Sequence, residues 1–310
     1  MTATARHPRS TRASRQPPLD SFTSQTRHIA ARKRFIMTSR FFEKLEKKEV
    51  AYGAFTILNQ PEVAEVMGSM GLDFVLMDMM MGSLDWRGAA AITNAADKFD
   101  ITPFVRLPSF PWVGTGKNTD YHMPAEVLRA QTIGAQGVVV SLETPEQVAA
   151  ALAPIGNDHR RVHLPSYEFS AHGSGREAAS STHAAPTDEP SLLIPLIESP
   201  LALDTLDDIL AVDGLKAIFL GMGDLSVILG HANDFAHPEL TEFARTTIER
   251  ANKHGVSVLI NVHGREGIAE IAAAAKLYAD IGAAGVFVPY DTQILIRFYR
   301  DLLATIGQNA

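Results

Sequence analysis

Eight short apolar runs, separated by longer stretches of helical periodicity, constrain this chain more than any other feature. They lie near Tyr52 to Leu58, Phe74 to Met79, Pro103 to Leu107, Gly137 to Leu142, Leu192 to Ile197, Ala217 to Leu220, Ser257 to Val262 and Gly285 to Pro289. Apolar character that is continuous rather than alternating means burial on both faces, as in parallel strands covered by helices. The helical patterns between them include Pro61 to Met70, Arg87 to Phe99, Pro124 to Ile133, Pro145 to Ala153, Leu203 to Ala211, Pro238 to His254 and Arg265 to Ile281. Several begin with Pro or follow Asp or Thr, and others stop at Gly71, Gly134, Gly255 or Gly282, the usual start and stop signals. Eight alternations favour a closed (β/α)8 barrel over an open doubly wound sheet.

Charged residues recur where these runs end. Asp78 closes the second, Arg106 follows Thr102 to Val105, Glu198 follows Leu192 to Ile197, and Asp224 comes after Gly221-Met222-Gly223. In a (β/α)8 barrel the carboxyl ends of the strands carry the chemistry. Three acids and an arginine there predict a divalent-metal site beside an anion-binding group. Alone, each acid reads equally as a helix cap or a loop hydrogen-bonder, Arg106 as a structural ion-pair partner, and the two glycines as a tight turn.

The chain has 310 residues, 46% hydrophobic, and a net charge of -7, enough for one large barrel. Cysteine is absent, which excludes thiol nucleophiles, thiolate metal sites and disulfides and favours a hard, oxygen-rich metal site. No apolar run reaches the roughly 18 residues of a membrane span, so we expect a cytoplasmic protein without membrane association. Residues 1 to 36 carry +7 and the remainder -14. We read the first segment as a basic, disordered extension preceding a single catalytic domain over 37 to 310. An over-long translated start before Met37 and a transit peptide are alternatives, the latter lacking a clear amphipathic face. With aromatics nearly absent from the basic segment and an acidic body, nucleic-acid binding is not expected.

Two connections exceed the usual length: Pro108 to Met123, with Phe110, Trp112, Lys117, Tyr121 and His122, and Pro165 to Pro190. Loops this long are commonly lids or disordered; the first suits a lid, the second a lid or an oligomer contact. Gly114-Thr115-Gly116-Lys117 lacks the spacing of a phosphate loop, and His163, His172 and His183 lack metal spacing.

Five ordered motifs carry a family resemblance: Gly71-Leu72-Asp73-Phe74-Val75-Leu76-Met77-Asp78, Val105-Arg106-Leu107-Pro108, Gly134-Ala135-Gln136-Gly137-Val138-Val139-Val140, Ile197-Glu198-Ser199-Pro200 and Gly221-Met222-Gly223-Asp224-Leu225-Ser226. From about Phe41 to Gly307 the chain resembles the HpcH/HpaI aldolase and citrate lyase family, the class II pyruvate aldolases. The resemblance implies a (β/α)8 barrel, commonly a homohexamer exchanging its last helix. It also implies Mg2+, Mn2+ or Co2+ held by Glu198 and Asp224, and a small 2-keto acid as substrate. A keto acid chelates such a cation, and the enolate left by carbon-carbon cleavage is stabilised there. Arg106 would face the enolate oxygen, and Gly221, Met222, Gly223 and Ser199 would bind substrate, the glycine turn gripping its carboxylate. Asp78 matches a residue acting through metal-bound water and the neighbouring base.

That base is the point of departure. The family usually reads Asp-x-Glu-His after the second strand, whereas this chain has Asp78-Met79-Met80-Met81; Met81 cannot move a proton. Thr132 stands where an aspartate is usual, and Ser141 where proline is. His122 is the leading replacement, ahead of Tyr121 or a metal-bound water assisted by Asp78, with His263 a second candidate. Alternatively the chain decarboxylates a keto acid, which requires no hydroxyl deprotonation, or binds one without turnover. Met79 to Met81 fill the barrel rim or face the pocket; in the second case the aldehyde partner is apolar or aromatic.

Overall fold

The computed structural model describes residues 39–108, 123–156, 191–265 and 267–308. In chain order the elements are α1 (Arg40–Lys47), β1 (Ala51–Thr56), α2 (Glu62–Ser69), β2 (Phe74–Asp78), α3 (Trp86–Lys98), β3 (Thr102–Arg106), α4 (Met123–Thr132), β4 (Gly137–Ser141), α5 (Pro145–Gly156) and β5 (Leu192–Ile197). There follow α6 (Pro200–Asp204), α7 (Leu206–Leu210), β6 (Ala217–Leu220), α8 (Met222–Ile228), α9 (Pro238–Lys253), β7 (Ser257–Asn261), α10 (Ile268–Asp280), β8 (Gly285–Val288) and α11 (Asp291–Thr305). The eight strands close in sequence order, with β8 pairing parallel to β1. The expected (β/α)8 barrel is therefore the fold.

Closure makes strand parity decisive, because alternate side chains point into the barrel and out to the helices. Phe55, Phe74, Leu76, Phe104, Val139, Ile194, Leu196, Phe219, Leu259 and Phe287 fill one buried cluster inside. Val75, Met77, Val105, Val138, Val140, Ile197, Ile218 and Ile260 belong to the other, under the helices. Counting on by twos from the inner set brings Asp78, Arg106, Ser141, Glu198 and Asn261 to the inside at the carboxyl ends of their strands. The same count turns Ser199 away from the interior.

The opposite mouth is closed by α1. Phe41 is fully buried edge-on against Phe74 and Phe104, with centroids 5.4 and 4.9 Å away, and Lys44 pairs with buried Asp73 at 2.6 Å. Chemistry is thereby left to the carboxyl-terminal mouth. The pattern expected over Leu203 to Ala211 is two short helices, α6 and α7, because Ser199 caps a helix beginning at Pro200 and Thr205 interrupts it. The basic segment, both long loops, and with them Phe110, Trp112, Lys117, Tyr121, His122, His163, His172 and His183, lie outside the described residues.

The inner layer is packed against bare backbone at two strands: a Cβ at Gly53 would overlap the Phe74 ring, and one at Gly137 the Phe104 ring. Replacing either glycine by alanine is expected to cost about 1–3 kcal/mol through overpacking, read by urea denaturation. An unchanged midpoint for both variants would mean the inner layer is not close-packed there.

Candidate active site

Arg106 organises the carboxyl-terminal mouth. Its Nη1 lies 3.3 Å from Asp78 Oδ2 and its Nη2 3.4 Å from Glu198 Oε1. Asp78 and Arg106 are register partners on adjacent strands, whereas Glu198 approaches from the end of β5, so the guanidinium spans the mouth. Burial alone would lower its pKa, but the charges of Asp78 and Glu198 outweigh that and hold it above the ordinary value. One buried donor, Nε, has no hydrogen-bond partner among the described residues. An unmet buried N–H costs on the order of 1–3 kcal/mol, so the group is poised for an acceptor that enters the site.

Asp78 is wholly buried, and four donors surround it. Oδ1 accepts the amides of Met80 and Met81 at 2.9 and 3.1 Å, while Oδ2 accepts Arg106 and the Tyr290 hydroxyl, the latter at 2.6 Å. These bonds make Asp78 the anchor of the guanidinium. Tyr290, just past β8, stacks on Phe55 with centroids 4.5 Å apart. Burial, followed by the charge of Asp78, pushes its pKa far up, so the phenol keeps its proton.

Glu198 is held from the other side by Ser141, whose hydroxyl donates to Oε1 at 2.6 Å. Burial raises the Glu198 pKa most; Arg106 and Ser141 oppose this, and the neighbouring Asp224 raises it further. The charge of Asp224 is felt at Glu198, so acids from the end of β5 and the first turn of α8 are neighbours. Asp224 is exposed, which leaves their shared edge open to solvent. His263 stands close by: its ring is 3.6 Å from where a Cβ of Gly223 would be. Burial lowers its pKa, against the pull of Asp224, so it is neutral at physiological pH.

Two expectations need correction. Ser199 caps α6 by accepting the Ala202 amide at 3.2 Å; parity directs it away from the mouth. In the glycine turn, the Gly221 amide is bound to Ile197 O at 3.1 Å and the Met222 amide to Asn261 Oδ1 at 3.0 Å. Neither is available to a substrate carboxylate. Of the three residues, only Gly223 has an amide free of these bonds, in the first turn of α8 where no intrahelical acceptor exists. Ser226 donates to Gly223 O at 2.7 Å. Met81 does not fill the rim, being 61% exposed, and Thr132 bonds to Leu128 O at 2.9 Å in its own helix.

Tyr290, Ser141 and Asn261 were not singled out as site residues. Parity at β4 and β7 would have found Ser141 and Asn261; Tyr290 lies beyond the strand, and no local pattern marks it. Beyond the mouth, His231 pairs with Glu239 at 2.8 Å, and His237 Nδ1 accepts the Glu239 amide at 3.3 Å. These are the ordinary contacts of a helix start.

Fold and site together define a barrel enzyme with its charged groups collected at the carboxyl-terminal mouth. Residues 51–289 match the HpcH/HpaI aldolase/citrate lyase model, and the chain belongs to that family. It is accordingly a carbon-carbon lyase of aldolase type. A 5-keto-4-deoxy-D-glucarate aldolase of Salmonella paratyphi C is 26% identical over 257 residues, covering 83% of this chain and 92% of the relative. A hydroxypyruvate/pyruvate aldolase of Deinococcus radiodurans is 29% identical over 260 residues, covering 82% and 84%. A crystal structure of a family protein from Burkholderia cenocepacia superposes with a TM-score of 0.65 at 24% identity, covering 85% of this chain and 97% of the other.

Because the folded-state pKa of Glu198 is raised, the native state holds that proton at a pH where the unfolded chain has lost it. Chelator-treated protein is therefore expected to lose stability as pH rises from the ordinary carboxylate value through the raised one. Glu198→Gln should flatten that fall, as measured by urea midpoints across pH. An equal slope in both proteins would contradict the assigned shift.

Proposed function

We propose that this protein is a divalent-metal-dependent aldolase that makes or breaks a carbon-carbon bond beside a 2-keto acid through a pyruvate-like enolate. The observation that carries the reading is the meeting of Glu198 and Asp224 beside Arg106. Two neighbouring acids, one buried and one open to solvent, repel each other once both ionise. Their oxygen donors suit Mg2+, Mn2+ or Co2+, and the open edge leaves coordination positions for water and substrate. When bound there, a divalent cation supplies a Lewis acid for the keto and carboxylate oxygens.

The protein's own groups supply the rest. Asp78 holds the guanidinium of Arg106 in place, and the unmet Nε–H is a donor for the oxygen on which enolate charge develops. Ser141 fixes the rotamer of Glu198, and Asn261 holds the turn that positions Asp224. The Gly223 amide is the part of that turn left for a substrate carboxylate. His263 and His122 remain candidate proton carriers, the first beside Asp224. We assign the aldehyde partner an apolar or aromatic side, on the strength of the half-buried Met79 and Met80 at the end of β2.

We also propose a homo-oligomer, built on α11, as in the hexamer the family resemblance implies. Its Ile294, Leu295, Ile296, Phe298, Tyr299, Leu302 and Ile306 are exposed, an apolar area larger than isolated surface residues explain. Among the described residues, no helix is long and apolar enough to cross a membrane.

Chelation should abolish pyruvate release from a 4-hydroxy-2-keto acid, and Mg2+, Mn2+ or Co2+ should restore it. Arg106→Lys is expected to lower kcat by roughly a hundredfold to a thousandfold, the cost of losing an oriented oxyanion donor. A cation and a proton compete for Glu198, so metal affinity should rise with pH through the raised pKa and then level off. Full turnover after exhaustive chelation would end the metal reading. Carbon dioxide release from oxaloacetate without aldol turnover would replace the aldolase with a decarboxylase.

A further inference from the structure

The position of Met81 leaves the aldol hydroxyl without the base that the family resemblance implies there, and the mouth contains a phenol that no motif predicted. The Tyr290 hydroxyl donates to Asp78 Oδ2 at 2.6 Å, the same carboxylate oxygen that accepts the Arg106 guanidinium at 3.3 Å. It thus occupies the junction between the group that faces the enolate and the buried carboxylate. Three features hold it there. Its ring stacks on Phe55 within 18° of parallel. It caps α11, and the next residue, Asp291, accepts the Thr56 hydroxyl at 2.6 Å. Asp291 also accepts the amides of Ile57 and Leu58, both at 3.4 Å, tying the start of α11 to the end of β1.

We propose that Tyr290 and Asp78 form a two-member proton relay that replaces the absent base, with Tyr290 receiving the proton of the aldol hydroxyl. This rests on the aldolase reading above. In cleavage, the substrate hydroxyl gives its proton to the phenol oxygen as the phenol proton passes to Asp78 Oδ2. The pair left on the substrate oxygen forms the carbonyl of the departing aldehyde. The electron pair of the broken carbon-carbon bond goes to the keto acid as its enolate, whose oxygen Arg106 faces. The proton on Asp78 then returns through the same hydroxyl to the enolate carbon, so the keto acid leaves with a new C–H bond and both side chains regain their starting states. Tyr290 remains neutral at both ends of each transfer, which suits a phenol that burial and Asp78 keep protonated.

The relay separates two reactions of one site. Aldol cleavage requires a hydroxyl proton to move before the bond can break, whereas carbon dioxide leaves oxaloacetate with only an electron sink, and the enolate then takes its proton from water. Tyr290→Phe keeps the ring on Phe55 and removes the relay. In the full-length, metal-loaded protein we expect it to lower kcat for cleavage of a 4-hydroxy-2-keto acid by roughly a hundredfold or more. Oxaloacetate decarboxylation and calorimetric oxalate affinity should stay within roughly threefold of the parent, less than the loss from a displaced oxyanion donor. If Tyr290 only braces Arg106, decarboxylation or oxalate binding falls in parallel with cleavage, and the proposal is overturned. Unchanged cleavage overturns it as well. Where the parent does not decarboxylate, oxalate affinity and thermal midpoint provide the comparison. A second variant replaces Tyr290 with 3-fluorotyrosine, whose more acidic phenol should change kcat and the solvent isotope effect of cleavage while leaving oxalate binding unchanged; no change counts against the relay. A parent protein that cleaves no hydroxy-keto acid at all refutes the aldolase reading instead.

Discussion

The site depends on one buried guanidinium shared by two carboxylates from non-adjacent strands. Taking Arg106, Asp78 and Glu198 out of water is expensive, and the ion pairs offset that expense only with good geometry and further hydrogen bonds. Those bonds are present: Asp78 has two amides and a phenol besides the guanidinium, and Glu198 has Ser141. Only the Nε–H of Arg106 is left over. A network satisfied, among the described residues, everywhere except at one buried donor is held in place by its bonds and keeps one N–H for an incoming oxygen, which is what oriented stabilisation of developing charge requires.

That arrangement could not be made by neighbours in sequence. Asp78 and Arg106 are paired in register across β2 and β3, but Glu198 comes within reach only because the sheet closes. Closure in turn depends on an inner layer in which Phe74 and Phe104 lie over Gly53 and Gly137, with Phe41 sealing the floor. The aromatic floor and the charged mouth are thus two ends of the same alternation. In β2 the residues Phe74, Leu76 and Asp78 belong to one face, and in β3 Phe104 and Arg106 do.

The strands were legible because burial on both faces leaves a continuous apolar run, and every expected run is a strand within a residue or two of its bounds. The acids and the arginine were legible because they interrupt those runs. Ser141 was visible only as a departure from a usual proline, although counting by twos from Val139 directs it inward, to Glu198. The glycine turn misled for a physical reason. A Gly-Met-Gly sequence suggests free amides, but whether they are free depends on Ile197 and Asn261, which arrive from other strands. Ser199 likewise looked like part of a site motif because it adjoins Glu198, yet its hydroxyl is taken up by the Ala202 amide at the start of α6. Tyr290 had no signal, since its role comes from Asp78, more than two hundred residues earlier in the chain.

The methionines after Asp78 therefore have a different meaning from the one their side chains suggest. Their backbone amides hold Asp78 Oδ1, a task any residue other than proline performs, while the Met81 side chain stands out in solvent. The anchoring of Asp78 is therefore independent of which side chain stands at position 81. The remaining acceptor of Asp78 then faces β8 rather than β2, and the group waiting on that side is a phenol.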